Sequence, residues 1–151
     1  GVGRAWVMVY CPGDFNENTV IDAMNRGDYY PTLGVLFESI VFENGTLRVR
    51  IKAEKDRKYT IRFVATKRGF SRKVRTLDLT DDRPRPPRTV SLYSDEIGQT
   101  VFECSGTEAE YTMQPDDLYI RAAAVSDKPV RCRSSRHPAF ETAWTQPYKI
   151  N

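Results

Sequence analysis

The stretch "LFESIVFENGTLRVRIKAE" (residues 36–54) constrains the fold more than any other part of the chain. Two runs of alternating apolar and polar residues meet there at Asn44-Gly45. A period of two sends successive side chains to opposite faces of a strand. Both central residues of a type I′ turn need positive φ, which Asn-Gly supplies, so the two runs read as a hairpin. Counting outward from the turn pairs Phe42 with Leu47 and Ile40 with Val49. The loop "EKDRK" then leads into "YTIRFVATKRG", which keeps the alternation. With Ile51 facing Ile61, Leu47, Val49, Ile51, Tyr59, Ile61 and Phe63 share an inner face. Arg48, Arg50, Lys52 and Arg62 then share an outer one. Like charges side by side cost stability, so this outer face is expected to meet carboxylates or anions.

Before the hairpin the pattern differs. "RAWVMVYC" is a continuous apolar run, as in strands buried on both faces of parallel α/β sheets. Pro12 and Gly13 break it. Asn16 or Asn18 can cap a following helix whose apolar face is Val20, Ile21, Ala23 and Met24. Gly27 stands where a left-handed glycine would stop that helix. After the hairpin, short strands are expected at "TVSLY", "QTVFEC", "AEYTM", "LYIRAAAV" and the tail "ETAWTQPYKI", with "LYIRAAAV" central. Between them, the prolines of "DDRPRPPR" exclude a central strand and favour a stiff connector over an SH3 ligand. The expected fold is mainly β: a β-sandwich-like domain over 34–151, preceded by a short βα unit over 1–33.

Composition bounds the function classes. At 151 residues, 40% hydrophobic and 28% charged, the chain suits one folded domain. No apolar run approaches the roughly 20 residues of a membrane span, so no membrane is expected among its partners. The chain opens in strand-like sequence with neither an initiating Met nor a signal peptide, as at a processing boundary. A bacterial cytoplasmic location and an exported one stay equally open. Residues 48–88 hold 15 Lys/Arg against 5 Asp/Glu, a net of +10, and the rest of the chain is net −7. That middle suits anions or an acidic partner. Three cysteines, Cys11, Cys104 and Cys132, are too few and too scattered for a zinc ribbon. They read as buried free thiols, with a Cys104–Cys132 bridge as the alternative. A single histidine, His137, closes most metal and dyad schemes.

Other motifs have plain structural readings. Arg26-Gly27-Asp28 matches an adhesion tripeptide, but it coincides with a helix stop where a terminal arginine suits the dipole. Asn44-Gly45-Thr46 is a glycosylation sequon that doubles as a hairpin tip. Asp116-Asp117 and Asp81-Asp82 are carboxylate pairs, yet adjacent residues on a strand diverge. The basic hairpin with Tyr59, Phe63 and Phe70 is a weak nucleic-acid face, since the Tyr59 and Phe63 rings point inward.

Three blocks carry a family resemblance: "GRAWVMVY", "VIDAMNRGDYYPTLGV" and "LYIRAAAVSDKP…HPAFETAWTQPY". In this order they resemble the C-terminal portion of PHP-type (polymerase and histidinol phosphatase) metal-dependent hydrolases, over residues 3–148. The nearest group is the carbaryl-hydrolase-like predicted phosphoesterases. The resemblance implies that residues 1–33 match the last βα unit of a catalytic barrel and the remainder an appended β domain. The barrel, the implied partner, would hold divalent Mn, Zn or Fe upstream of this segment. No catalytic or metal-binding residue, and no cofactor, is implied for the segment itself. The family pattern near "GDYYPTLG" is closer to "GDFYASTG", so no small hydroxyl role carries over to Leu33. The resemblance makes Arg26, Asp28, Tyr29 and Tyr30 candidates for the domain junction. Arg48, Arg50, Lys52, Arg62 and His137 become candidates for guiding an anionic substrate. The competing readings are an independent glycan- or protein-binding sandwich marked by an exposed aromatic platform, and an anion binder whose affinity falls with salt.

Overall fold

A computed structural model describes residues 5–79, 88–130 and 140–150. His137, Cys132 and the connector residues 81–87 lie outside the described residues. The protein is mainly β. Its elements are β1 (Trp6–Val9), α1 (Glu17–Arg26), β2 (Tyr29–Thr32), β3 (Phe37–Glu43), β4 (Thr46–Ile51) and β5 (Tyr59–Lys67), followed by β6 (Arg75–Leu79), β7 (Arg88–Leu92), β8 (Gln99–Ser105), β9 (Glu108–Thr112), β10 (Asp117–Pro129) and β11 (Phe140–Trp144).

The β3–β4 hairpin forms as expected. Asn44 and Gly45 take φ of 50° and 75°, and Phe42 pairs with Leu47 and Ile40 with Val49. Asn16 caps α1: its side chain accepts from Thr19 N at 3.1 Å, and Thr19 Oγ1 accepts from Asn16 N at 3.0 Å. Gly27 ends the helix at φ 83°.

The strands make three antiparallel sheets: β1-β2-β11-β10-β5-β8, β3-β4-β9 and the pair β6-β7. The six residues expected on one inner face are all buried, but they belong to two facing sheets. Strand β4 pairs with β3 and β9, while β5 crosses to the large sheet and pairs with β10 and β8. The expected single outer face is therefore split. Arg48 and Arg50 lie outside the three-stranded sheet, Arg62 lies outside the six-stranded one, and Lys52 follows the end of β4. The loop of residues 52–58 is long enough to change sheets, so alternation alone does not reveal the crossing.

Leu47, Ile61, Phe63 and Ile120 are completely buried between the sheets. Each such side chain contributes about 1.5–3 kcal/mol. The outer ion pairs, Arg48–Glu110 at 2.6 Å, Arg50–Glu108 at 3.0 Å and Arg62–Glu103, are about half exposed and worth roughly 0.2–1 kcal/mol each. Apolar burial therefore holds the sandwich, and the pairs relieve the arginines' repulsion. Strand β10 is central, as its apolar content suggests.

Strand β1 overturns an expectation. It is an edge strand, antiparallel to β2, rather than a strand of a parallel sheet covered on both sides. The sheet also runs unbroken past the expected boundary at residues 33/34, since Leu33 N donates to Thr142 O at 2.7 Å.

Candidate functional site: the bare first strand and helix

Trp6, Val7 and Met8 are 41%, 47% and 37% exposed, although nothing in their sequence is polar. Alternation puts Trp6 and Met8 on one face of β1 and Val7 on the other. Helix α1 turns Ala23 inward and leaves Ile21 and Met24 outside, one helical turn apart. Phe15 and Tyr10, in the connection between them, are the most exposed aromatic residues described. Edge strands are normally blunted by charge, proline or a bulge. Strand β1 has none of these, and its outer edge is unpaired among the described residues. A contiguous apolar surface with free backbone groups is the signature of an interface.

The junction candidates lie along the inner border of this surface. Arg26 Nε reaches Asp28 Oδ2 at 2.8 Å, so two members of the Arg-Gly-Asp tripeptide satisfy each other across the left-handed Gly27. Tyr29 accepts through its carbonyl from Gln146 Nε2 at 3.1 Å. Tyr30 belongs to the sandwich: its hydroxyl accepts from Phe37 N at 3.0 Å and its ring meets Phe37 edge-on at 5.1 Å. Burial raises the Tyr30 hydroxyl above its ordinary pKa. The buried Thr32 hydroxyl donates to Val35 O at 2.5 Å and accepts from Gly34 N at 2.9 Å, so it shapes the turn into Gly34.

The anion-contact candidates are brought together only in part: Arg48 and Arg50 are neighbours on the outer face of β4, while Arg62 and Lys52 lie elsewhere. Arg48, Arg50 and Arg62 are occupied by glutamates on two different faces. Lys52 alone lines a cavity of about 180 Å³ beside Gly34 and Glu141. The other cations of that cavity are already paired: Lys128 Nζ lies 3.1 Å from Glu141 and 3.3 Å from Glu54, and Arg57 lies 3.9 Å from Glu54. Little positive charge is left there for a substrate.

Asp116 and Asp117, expected to diverge, converge on Lys67 Nζ at 2.9 and 2.8 Å. Asp116 sits in the turn before β10, so strand alternation does not reach it. Asp117 is buried, and its Oδ2 accepts from Gln114 N at 2.7 Å and from Tyr111 OH at 3.1 Å. The Lys67 contact to Oδ1 is close but poorly directed, so it acts through charge rather than as a hydrogen bond. The lysine fills the position a cation would take. No group of three His, Cys, Asp or Glu side chains placed to hold a metal occurs among the described residues.

Acid should open this clamp. The hydrogen bond from Lys67 holds the Asp116 carboxyl below its ordinary value of 3.8. A folded pKa below the unfolded one stabilises fully above the unfolded value and is lost as pH falls through the folded one. Lys67 is raised above its ordinary 10.5 by the two aspartates, so its share is lost only in strong alkali. Urea midpoints measured from about pH 6 down to about pH 2 are expected to fall less steeply for Lys67→Met than for the unaltered protein. Equal slopes would show that the clamp contributes nothing.

No protein-family model, curated protein or solved structure matches the chain. Among the described residues no helix is long and apolar enough to cross a membrane. The apolar run "RAWVMVYC" implies a buried strand that includes Trp6 to Tyr10, and no sequence signal marks Phe15. Their hydrophobicity alone does not say on which side of an interface they lie.

Proposed function

We propose that the chain is a non-catalytic C-terminal accessory domain of a PHP-type metal-dependent phosphoesterase. It packs on the catalytic barrel through β1 and α1. The observation that carries this is the bare apolar edge of β1 beside the exposed Ile21–Met24 side of α1. A barrel built of βα units needs each strand covered by neighbours and each helix covered on its inner side. Strand β1 and helix α1 offer those two surfaces. In this reading the metals and the activated water belong to the barrel, and this domain completes and buttresses it.

The alternative is an independent binding module that uses Trp6, Tyr10 and Phe15 as an aromatic platform for a glycan. Those rings are exposed. They accompany exposed Val7, Met8, Ile21 and Met24, a mostly aliphatic set that suits a protein core better than a sugar.

The test starts from the coding sequence upstream of Gly1. An Asp-x-His shortly before Gly1, with earlier His and Asp clusters, would encode the barrel. That barrel, produced separately, should bind the 151-residue chain in calorimetry. Val7→Asp combined with Ile21→Asp is expected to weaken binding at least about 100-fold, because each charge enters an apolar contact. Both side chains are exposed in the free chain, so its fold should survive. An unrelated upstream sequence, or a barrel that ignores the chain, would sink the proposal.

A further inference from the structure

Among the described residues the ribbon of β6 and β7 pairs with neither other sheet. Its register places Arg75 opposite Leu92, Leu77 opposite Val90 and Leu79 opposite Arg88. Alternation puts these six residues on one face, and Thr76, Asp78, Thr89 and Ser91 on the other. The apolar side chains are thus sorted to one side, yet Leu77, Leu79 and Leu92 are 47%, 48% and 40% exposed. A lone two-stranded ribbon is marginal in water. A sorted apolar face without a cover is a surface awaiting one.

We infer that this ribbon is a second docking arm. It lays its apolar face on a carboxylate-rimmed apolar patch of the same partner that covers β1 and α1. The inference rests on the accessory-domain reading and adds a site to it. Charge selects the occupant. Residues 68–79 and 88–92 hold five basic side chains, Arg68, Arg72, Lys73, Arg75 and Arg88, against Asp78 alone. Two such ribbons repel each other, and four apolar side chains per copy bury far less than the roughly 1,200 Å² of a stable interface. The same small area means the arm works as an addition to a larger contact. The sequence that joins the two strands, "TDDRPRPP", is polar, whereas lipid insertion needs an apolar segment.

Topology selects the partner. From β1 to β5 every neighbouring pair is antiparallel, so β1, β11 and β5 run the same way. The ribbon leaves the sheet after β5, at the end toward which β1 points. The two strands are four spacings apart, roughly 19 Å, within the span of one domain.

Hydrogen exchange on the 151-residue chain and on the full natural polypeptide carrying it provides the test. Amides of residues 75–79 and 88–92 are expected to exchange at least tenfold more slowly in the longer protein. That slowing should shrink as salt rises, because the rim contact is charged. Leu77→Asp with Leu92→Asp should abolish it while residues 47–51 and 61–65 stay protected, which shows an intact sandwich. Slowing of β1 and α1 without the ribbon would overturn the arm and leave the accessory reading standing. No slowing in either region would overturn both. Slowing in the isolated chain on raising its concentration would identify a second copy as the occupant. Slowing on adding vesicles of three parts phosphatidylcholine to one part phosphatidylserine would identify lipid. Either result overturns the inference.

Discussion

Asp117→Ala is expected to destabilise the protein by about 2–5 kcal/mol, the cost of taking a buried carboxylate from the donors it satisfies. The carboxylate is fully buried and binds Gln114 N, Tyr111 OH and Lys67 together. Removing it leaves the half-buried Tyr111 hydroxyl and the Gln114 N–H without this acceptor and Lys67 with Asp116 alone. It also frees the turn that starts β10, the central strand of the large sheet. Urea unfolding at neutral pH measures this directly. A loss below about 1 kcal/mol would mean that water replaces the carboxylate, and that the clamp is looser than its distances suggest.

Phe63→Ala should be comparably damaging, by about 3–5 kcal/mol, through lost burial and the cavity it leaves. Phe63 is fully buried, stacked on Tyr111 at 5.7 Å and tilted against Phe102 at 6.1 Å. Tyr111 thus joins the two sites, with its ring on Phe63 and its hydroxyl on Asp117. Groups sharing a partner couple by about 0.5–3 kcal/mol, so the double variant should lose less than the two single losses combined. Strict additivity would show that Tyr111 does not connect them. Burial first, and the Asp117 charge second, raise the Tyr111 hydroxyl above its ordinary pKa. A raised folded pKa contributes stability that is lost as pH rises through it. Either variant should therefore return Tyr111 toward an ordinary alkaline titration.

Part of the proposed docking surface was legible beforehand and part was not. The composition of "RAWVMVYC" and the apolar stripe of α1 were visible in the sequence, as was the glycine that ends the helix. That β1 would stand at an edge was not, because an apolar run looks the same whether its cover lies in this chain or in another. The ribbon was hidden for a related reason. "TVSLY" reads as a strand, but only its pairing with Arg75–Leu79, apart from the other sheets, shows why Leu92 stays 40% exposed. The basic residues went the other way. The sequence clustered Arg48, Arg50 and Arg62, and the fold moved Arg62 to a different sheet and supplied each with a glutamate.

What the sequence by itself determined was local. Asn44-Gly45 requires a type I′ hairpin because both residues accept positive φ. Asn16 and Gly27 bound a helix because one accepts the free N–H groups and the other takes the left-handed stop. Those requirements are met within a few residues, so they can be read from a few residues. The tertiary structure alone decided that β4 and β5 face each other from different sheets, that Asp116 and Asp117 close on one lysine, and that apolar side chains of β1 and the β6–β7 ribbon stay exposed. Each of these depends on which distant segment reaches a strand edge first, and strand edges hydrogen-bond through a backbone that is nearly the same in every residue.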